Sequence, residues 1–477
     1  MADGTDADEE HIQLYKKRDA IYPKLVHGKF RAPKWVVMAV TLGVYYLLPW
    51  VRWPRAVGEP NQAVLIDFEG GRFYFFFIEI WPSELYYVTG LLILGAFGLF
   101  LMTALLGRVW CGYACPQTVW TDLYIAVERL VEGDRNARMK LDRAKWSGEK
   151  IAKKAAKHAL WLLIAAATGG AWVFYFHDAP STLPKLFTGQ AEGSAYLFLG
   201  VLTFLTYMLA GSMREQVCTY MCPWPRIQGA LTDAHALNVT YKYDRGEPRG
   251  AHKKGESWDG RGDCIDCKAC VTCCPMGIDI RNGPQLECIH CALCIDACDD
   301  IMAKIGRPKS LIGYDTELNL DQRLAKQPET YKLFRPRTLL YSSLMLVVAA
   351  IIAAGLVSRA PLTFYAERDR APAYVTLSDG SVRNAYELKI QNKRNSTQTY
   401  HITFEGLDGV TMTAIGEEVT DGAVIVTAGG DQLKRVRLFV TVSAEDAPPG
   451  ASPATLAVEE QGTGYTVRKA TRFLAKG

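Results

Sequence analysis

Five apolar stretches without a single charged residue divide this chain, at residues 35–51, 85–106, 159–176, 195–213 and 338–357. A run of about 20 apolar residues matches the ~30 Å hydrocarbon layer of a bilayer, so a chain with five such runs is read as an integral membrane protein. The first and third runs are slightly short, and their aromatic and charged flanks suit a membrane interface. Bulk composition alone does not reveal this. A hydrophobic content of 49% with 22% charged residues would serve a soluble enzyme, and it is the bunching of apolar residues that decides.

Orientation follows from Lys and Arg beside the apolar runs. Residues 11–34 carry seven and residues 107–158 carry eleven, against three in residues 52–84 and Lys185 alone in residues 177–194. The amino terminus therefore reads as cytoplasmic, and residues 3–10 as an acidic solvated tail. The first apolar run is read as an uncleaved helix, because it begins late and lacks a small-residue cleavage site. Five crossings then leave residues 214–337 in the cytoplasm of a bacterial cell and everything after residue 358 in the periplasm. The net charge of +4 is scattered, which argues against nucleic acid as a partner.

The cysteines carry the chemistry. All thirteen lie between Cys111 and Cys298, and nine of them fall within the 35 residues from Cys264 to Cys298. Such crowding is ligand spacing in a reducing compartment, not a disulfide framework. Cys264, Cys267, Cys270 and Cys274, followed by Pro275, repeat the C-x2-C-x2-C-x3-C-P run that holds [4Fe-4S] clusters, and Cys288, Cys291, Cys294 and Cys298 form a second run. Three closely spaced thiolates reach one cluster while the fourth belongs to its partner. The assignment is thus crossed: Cys264, Cys267, Cys270 and Cys298 for one cluster, Cys288, Cys291, Cys294 and Cys274 for the other. Two departures stand out, the extra thiol of Cys273 and Asp299 where proline is usual. Either Cys273 or Cys274 can ligate, and spacing favours Cys274. His290, inside the second run, reads as a solvated side chain.

An internal repeat brackets the membrane helices. The second apolar run ends in Cys111-Gly-Tyr-Ala-Cys115-Pro116 and the fourth in Cys218-Thr-Tyr-Met-Cys222-Pro223, each leading into an interfacial helix expected at residues 117–131 and 226–236. If the backbone stays helical, Cys111 and Cys115 share a face, as do Cys218 and Cys222. Proline at the first turn of a following helix would make Cys115 and Cys222 its caps. Four thiols brought together there can bind a metal ion, ligate a further cluster, act as a redox dithiol, or simply pack the repeat.

The tail from about residue 359 changes character. Alternating runs at 385–391, 399–405, 422–427 and 434–442, broken by Gly- and Pro-rich turns, predict about seven short strands in an immunoglobulin-like β-sandwich.

Residues 277–299, GIDIRNGPQLECIHCALCIDACD, resemble the FixG/CcoG family of cytochrome c oxidase accessory proteins, also known as RdxA or RdxB, and the twin Cys-x3-Cys-Pro motifs and cysteine-free tail fit it. The resemblance implies a role in maturing the cbb-type oxidase through reduction of copper(II) to copper(I). On that reading Cys111, Cys115, Cys218 and Cys222 form the catalytic site, copper is the substrate, and the partners are a cytosolic electron donor and a copper-export pump or oxidase assembly components, with homo-oligomerisation left open. Two other functions remain: a membrane ferredoxin feeding a quinone or periplasmic reductase, and a non-enzymatic assembly scaffold. The expected architecture is a tail at 1–34, a four-helix membrane region at 35–236, a bacterial-type two-cluster ferredoxin module at 237–335 with its core at 255–312, a fifth membrane helix at 336–358 and the β domain at 359–477.

Overall fold

The computed structural model describes residues 20–55, 59–253, 255–394 and 396–476, so the acidic stretch at 3–10 lies outside the described residues. The chain divides into two compact units, residues 1–53 with 62–352 and residues 54–61 with 353–477.

In the first unit, four described segments are long and apolar enough to cross a membrane: Arg31–Trp50, Pro82–Leu106, Gly193–Met213 and Pro336–Val357. The remaining run, 159–176, forms most of a 26-residue helix, Gly148–Val173. Its first turns carry Glu149, Lys150, Lys153, Lys154 and Lys157, so the apolar run occupies only the remainder of the helix. That helix packs closely on Gly193–Thr206: a Cβ on Gly169 would lie 2.8 Å from the Leu199 carbonyl oxygen. Gly107, at φ +56°, ends the Tyr86–Leu106 helix and turns the chain into the first cysteine pair. The helices expected after the two cysteine pairs run over Pro116–Glu132 and Trp224–Leu231.

The segment between the first two apolar runs holds a small sheet that the sequence does not announce, with strands Val64–Asp67, Arg72–Phe75 and Ile78–Ile80. Gln62, fully buried, pins it: its Nε2 donates to the carbonyls of Val64 at 2.8 Å and Phe174 at 2.6 Å, and its Oε1 accepts from the Ala179 amide at 3.1 Å.

The cysteine-rich module is framed by a two-stranded ribbon, Asn238–Tyr241 against Ile312–Asp315, and by the helix Leu293–Lys304. Residues of the stretch read as the N-terminal tail, 1–34, pack on this module. Asp296 accepts hydrogen bonds from the Phe30 and Arg31 amides, and the Lys24 amide donates to the Thr272 carbonyl at 2.9 Å.

The second unit is all β. One sheet orders its strands Val410–Ala414, Leu433–Val442, Val382–Asn392, Leu362–Arg368, with Val375–Thr376 also paired to Val382–Asn392. The other runs Glu418–Thr420, Ala423–Ala428, Gln398–Glu405, Ala451–Glu460, Thr466–Leu474. Every pairing is antiparallel. Among the described residues ten strands stand where about seven are expected, because the shortest have too few residues to show a two-residue period. Alternation sets the core: Val382, Asn384, Tyr386, Leu388 and Ile390 all point inward.

Candidate functional site

The cysteine-rich module folds around two voids. Cys264, Cys267, Cys270 and Cys298 line the first, closed by Tyr241, Met302 and Leu311. Cys274, Cys288, Cys291 and Cys294 line the second, closed by Val239, Ile278 and Ile280, and Cys270 lines both. The same backbone device shapes both loops. Asp266 and Lys268, flanking Cys267, have φ +52° and +56°; His290 and Ala292, flanking Cys291, have φ +52° and +59°. Non-glycine residues adopt this conformation rarely, and a matched pair in each loop curls the chain around its void.

The two runs then diverge. Pro275 follows Cys274 at the end of the first, whereas the helix Leu293–Lys304 continues through Cys298 and Asp299, whose Oδ1 accepts from the Ser310 amide at 2.6 Å. Cys273 lines neither void; its thiol donates to the Cys270 carbonyl at 3.3 Å and packs among Ile289, Leu293 and Ala297.

The donor set fits iron–sulfur clusters. Burial pushes the thiols up, Cys270 to about 11 and Cys274, Cys288 and Cys298 to about 12, with neighbouring sulfurs pushing the same way. Crowded, desolvated thiols around an apolar void are poor acids by themselves. Iron, by taking them as thiolates, supplies the positive charge this packing lacks.

The twin Cys-x3-Cys-Pro motifs meet. Cys111, Cys115, Cys218 and Cys222 line one chamber of about 160 Å³, together with Arg108, Trp224 and Ile289. Cys111 lies in the short helix Val109–Tyr113 and Cys115 caps Pro116–Glu132, as its proline suggests. The second copy departs from the expected helical face. Cys218 sits in a π-helical turn, with the Cys222 amide bonded to the Val217 carbonyl at 2.8 Å, and Cys222 precedes the cap, Pro223. Burial pushes Cys111 and Cys218 up to about 12. The Cys111 thiol donates to Gln228 Oε1 at 3.4 Å. Among the described residues no three His, Cys, Asp or Glu side chains converge on a single ion, so the sulfurs share a chamber and not a closed ligand cage.

Chamber and second void share a wall. Ile289 lines both, and a Cβ on Gly112 would stand 2.7 Å from the Ile289 carbonyl oxygen and 2.9 Å from the Cys291 backbone. Arg108 fastens the wall. Its amide donates to His290 Nδ1 at 3.0 Å, Nη1 donates to the carbonyls of Leu286 and, at 3.3 Å, Cys288, and Nη2 donates to the Pro225 carbonyl at 2.6 Å. His290 is therefore buried, not solvated as the sequence suggests, and burial, followed by the Arg108 charge, holds its pKa down at about 3. Sequence reasoning passed over Arg108, Gly112 and Gln228. The only local signal was Gly107-Arg108 interposed between an apolar run and a cysteine pair.

Family models match three stretches of the chain. A 4Fe-4S dicluster domain matches residues 213–317, a 4Fe-4S binding domain matches residues 88–132, and an Ig-like fold at the C-terminus of FixG matches residues 352–476. Nitrogen fixation protein FixG of Rhizobium meliloti is 50% identical over 90% of this chain and 87% of its own length. The chain belongs to the FixG/RdxA/RdxB family. Protein RdxB of Cereibacter sphaeroides is 48% identical over 99% of this chain and 100% of its own, and RdxA of the same organism is 50% identical over 94% and 93%. Among solved structures, a FixG-related protein from Vibrio parahaemolyticus aligns with 24% of this chain and 98% of its own at 18% identity and a TM-score of 0.22. Membership fixes the broad class: an iron–sulfur protein of the 4Fe-4S type, suited to electron transfer, with an Ig-like terminal domain and several apolar helices.

Proposed function

We propose that this chain reduces copper(II) to copper(I) in the chamber lined by Cys111, Cys115, Cys218 and Cys222. Each copper(II) takes up one electron and leaves as copper(I). On this reading Cys264, Cys267, Cys270 and Cys298 hold one [4Fe-4S] cluster, and Cys274, Cys288, Cys291 and Cys294 hold the other. When bound, the clusters supply one-electron transfer at potentials set by their surroundings. The protein's part is to bury the sulfurs, keep water from the second void and bring that void within one residue's thickness of the chamber.

That shared wall at Ile289 and Gly112 is the observation that carries the proposal. The chemistry of the donors supports it, since soft thiols select copper(I) and so favour the reduced product. Exposure supports a direction: Cys267 at the first void is exposed, while around the second void Cys288 and Cys291 are buried and Cys274 and Cys294 half-buried, which suits electrons entering from a soluble donor at the first void. The Lys and Arg pattern favours a bacterial inner membrane crossed five times, with the cysteine-rich module cytoplasmic and the β domain periplasmic. Copper(I) would then pass to an export pump or to cbb-type oxidase assembly.

The test is anaerobic. Clusters reduced in the purified protein are followed by electron paramagnetic resonance while copper(II) is added, and reoxidation is compared with copper(I) formed. Stoichiometric coupling that is lost on Cys111→Ser or Cys218→Ser, with both clusters retained, supports the assignment. Clusters that reduce yet ignore copper would overturn it.

A further inference from the structure

The two voids sit in different electrostatic fields: the first is lined by Lys268, whose exposed charge is screened by solvent, and by Arg281, while a buried arginine stands beside the second. Arg281 lines the first void, and its charge is balanced: Nη2 lies 2.7 Å from Asp279 and Nη1 lies 2.5 Å from Asp266. Arg108 stands at the wall of the second. Its guanidinium hydrogens go to three main-chain carbonyls, and among the described residues no carboxylate lies within ion-pair distance. The Cys111 and Cys288 sulfurs, the Glu287 carboxylate and the Cys222 sulfur act on it electrostatically. A guanidinium stays protonated and its planar fork suits carbonyls in different directions, so the site carries a fixed positive charge that no ion pair neutralises.

A fixed positive charge beside a redox centre stabilises the state with the extra electron, and burial strengthens the effect by lowering the local dielectric. We propose that Arg108 is a positioning residue that makes the cluster on the chamber side the more easily reduced of the two, so that an electron leaving the centre at Cys264, Cys267, Cys270 and Cys298 settles on the one at Cys274, Cys288, Cys291 and Cys294. One centre is oxidised and the other reduced by the same electron, supplied by the soluble donor. The inference rests on the cluster assignment proposed above and deepens it. It gives the paired arginine and the unpaired one distinct roles: Arg281 organises its loop, whereas Arg108 clasps the wall and biases the direction of transfer.

The experiment is a potentiometric titration of the full-length protein in detergent, read by electron paramagnetic resonance without copper. Cys274→Ser identifies which midpoint belongs to the chamber side. In the wild type that midpoint is the higher. Arg108→Gln lowers it and leaves the other in place, while Arg108→Lys, which keeps the charge but not the fork, lies between. A wild-type order with the chamber-side midpoint lower, or an Arg108→Gln protein whose midpoints are unchanged or shift together, overturns the proposal. Should Arg108→Gln fail to fold, Asp266→Asn at the exposed rim of the first void is the complementary test. Weakening the balance of Arg281 raises the first midpoint and narrows the gap, and no movement there would refute the field argument. Because copper is absent, midpoints that behave as described in a protein that does not reduce copper would sink only the copper assignment.

Discussion

The carbonyl oxygen of Ile289 lies 2.7 Å from where a Cβ on Gly112 would stand, so the first cysteine pair and the second cysteine-rich loop touch through their backbones. A glycine between Cys111 and Cys115 is thus a condition of contact between chamber and void. No flexible side chain intervenes that could make room.

Gly112→Ala separates two opposing effects. Gly112 lies in the helix Val109–Tyr113, where alanine gains about 1 kcal/mol of helix propensity. Against this, the new methyl group meets main-chain atoms of Ile289 and Cys291, and overpacking costs about 1–3 kcal/mol where the surroundings cannot yield. The contact wins. Thermal unfolding in detergent is expected at a lower temperature than wild type, with copper(II) reduction slowed while both cluster signals persist. A variant that is more stable and equally active would show that the wall is not closely packed.

Cys273 and Cys274 are neighbours with different fates. Cys274 faces the void of Cys288, Cys291 and Cys294, while the Cys273 thiol is spent on the Cys270 carbonyl. Cys273→Ser keeps a donor for that carbonyl and is expected to retain both clusters. Cys274→Ser removes a proposed ligand, and iron content should fall by about half if one of two four-iron clusters is lost. Iron analysis of the two variants decides between them, and the reverse result would exchange their roles.

The cysteine runs were legible because ligand spacing is local, and the contact between the two Cys-x3-Cys-Pro motifs was legible as a repeat. What could not be read depends on partners far away in the chain. His290 looks like a solvated loop residue until the Arg108 amide, 182 positions away, supplies its hydrogen bond. Gln62 is an ordinary polar residue in a loop until Phe174 and Ala179 arrive to bury it. In the tail, Val375–Thr376 and Glu418–Thr420 are too short for alternation to register. Ala451–Glu460 contains Pro453, a residue that argues against a strand.

Asn384 stitches the two sheets of the β domain. It is fully buried, its Nδ2 donates to the Leu474 carbonyl at 2.7 Å and its Oδ1 accepts from the Leu474 amide at 2.9 Å. Asn384→Ala leaves both groups of Leu474 without their side-chain partner at a half-buried position. The expected loss is about 1–2 kcal/mol, the lower part of the ~1–3 kcal/mol that a buried orphan costs. Faster amide hydrogen exchange in Thr466–Leu474 would register it, and exchange at the wild-type rate would mean that water replaces the side chain.

Arg394 and Glu460 form an ion pair, 2.6 Å apart, that should make the β domain sensitive to acid. The Arg394 hydrogen bond, opposed by burial and aided by the Thr463 hydroxyl, holds the Glu460 carboxyl below its ordinary value of 4.5. A carboxylate whose pKa is depressed by folding contributes stability that is fully present above the unfolded value and lost as pH falls through the folded one. The domain should therefore gain from this pair at neutral pH and lose that gain below about pH 4.5, where the unfolded chain begins to take up the proton first. Glu460→Gln keeps the shape and removes the charge. Hydrogen exchange in Ala451–Glu460, followed from pH 7 into acid, is expected to run faster in the variant at neutral pH and to converge with wild type in acid. Parallel curves across that range would assign the acid sensitivity to other carboxylates.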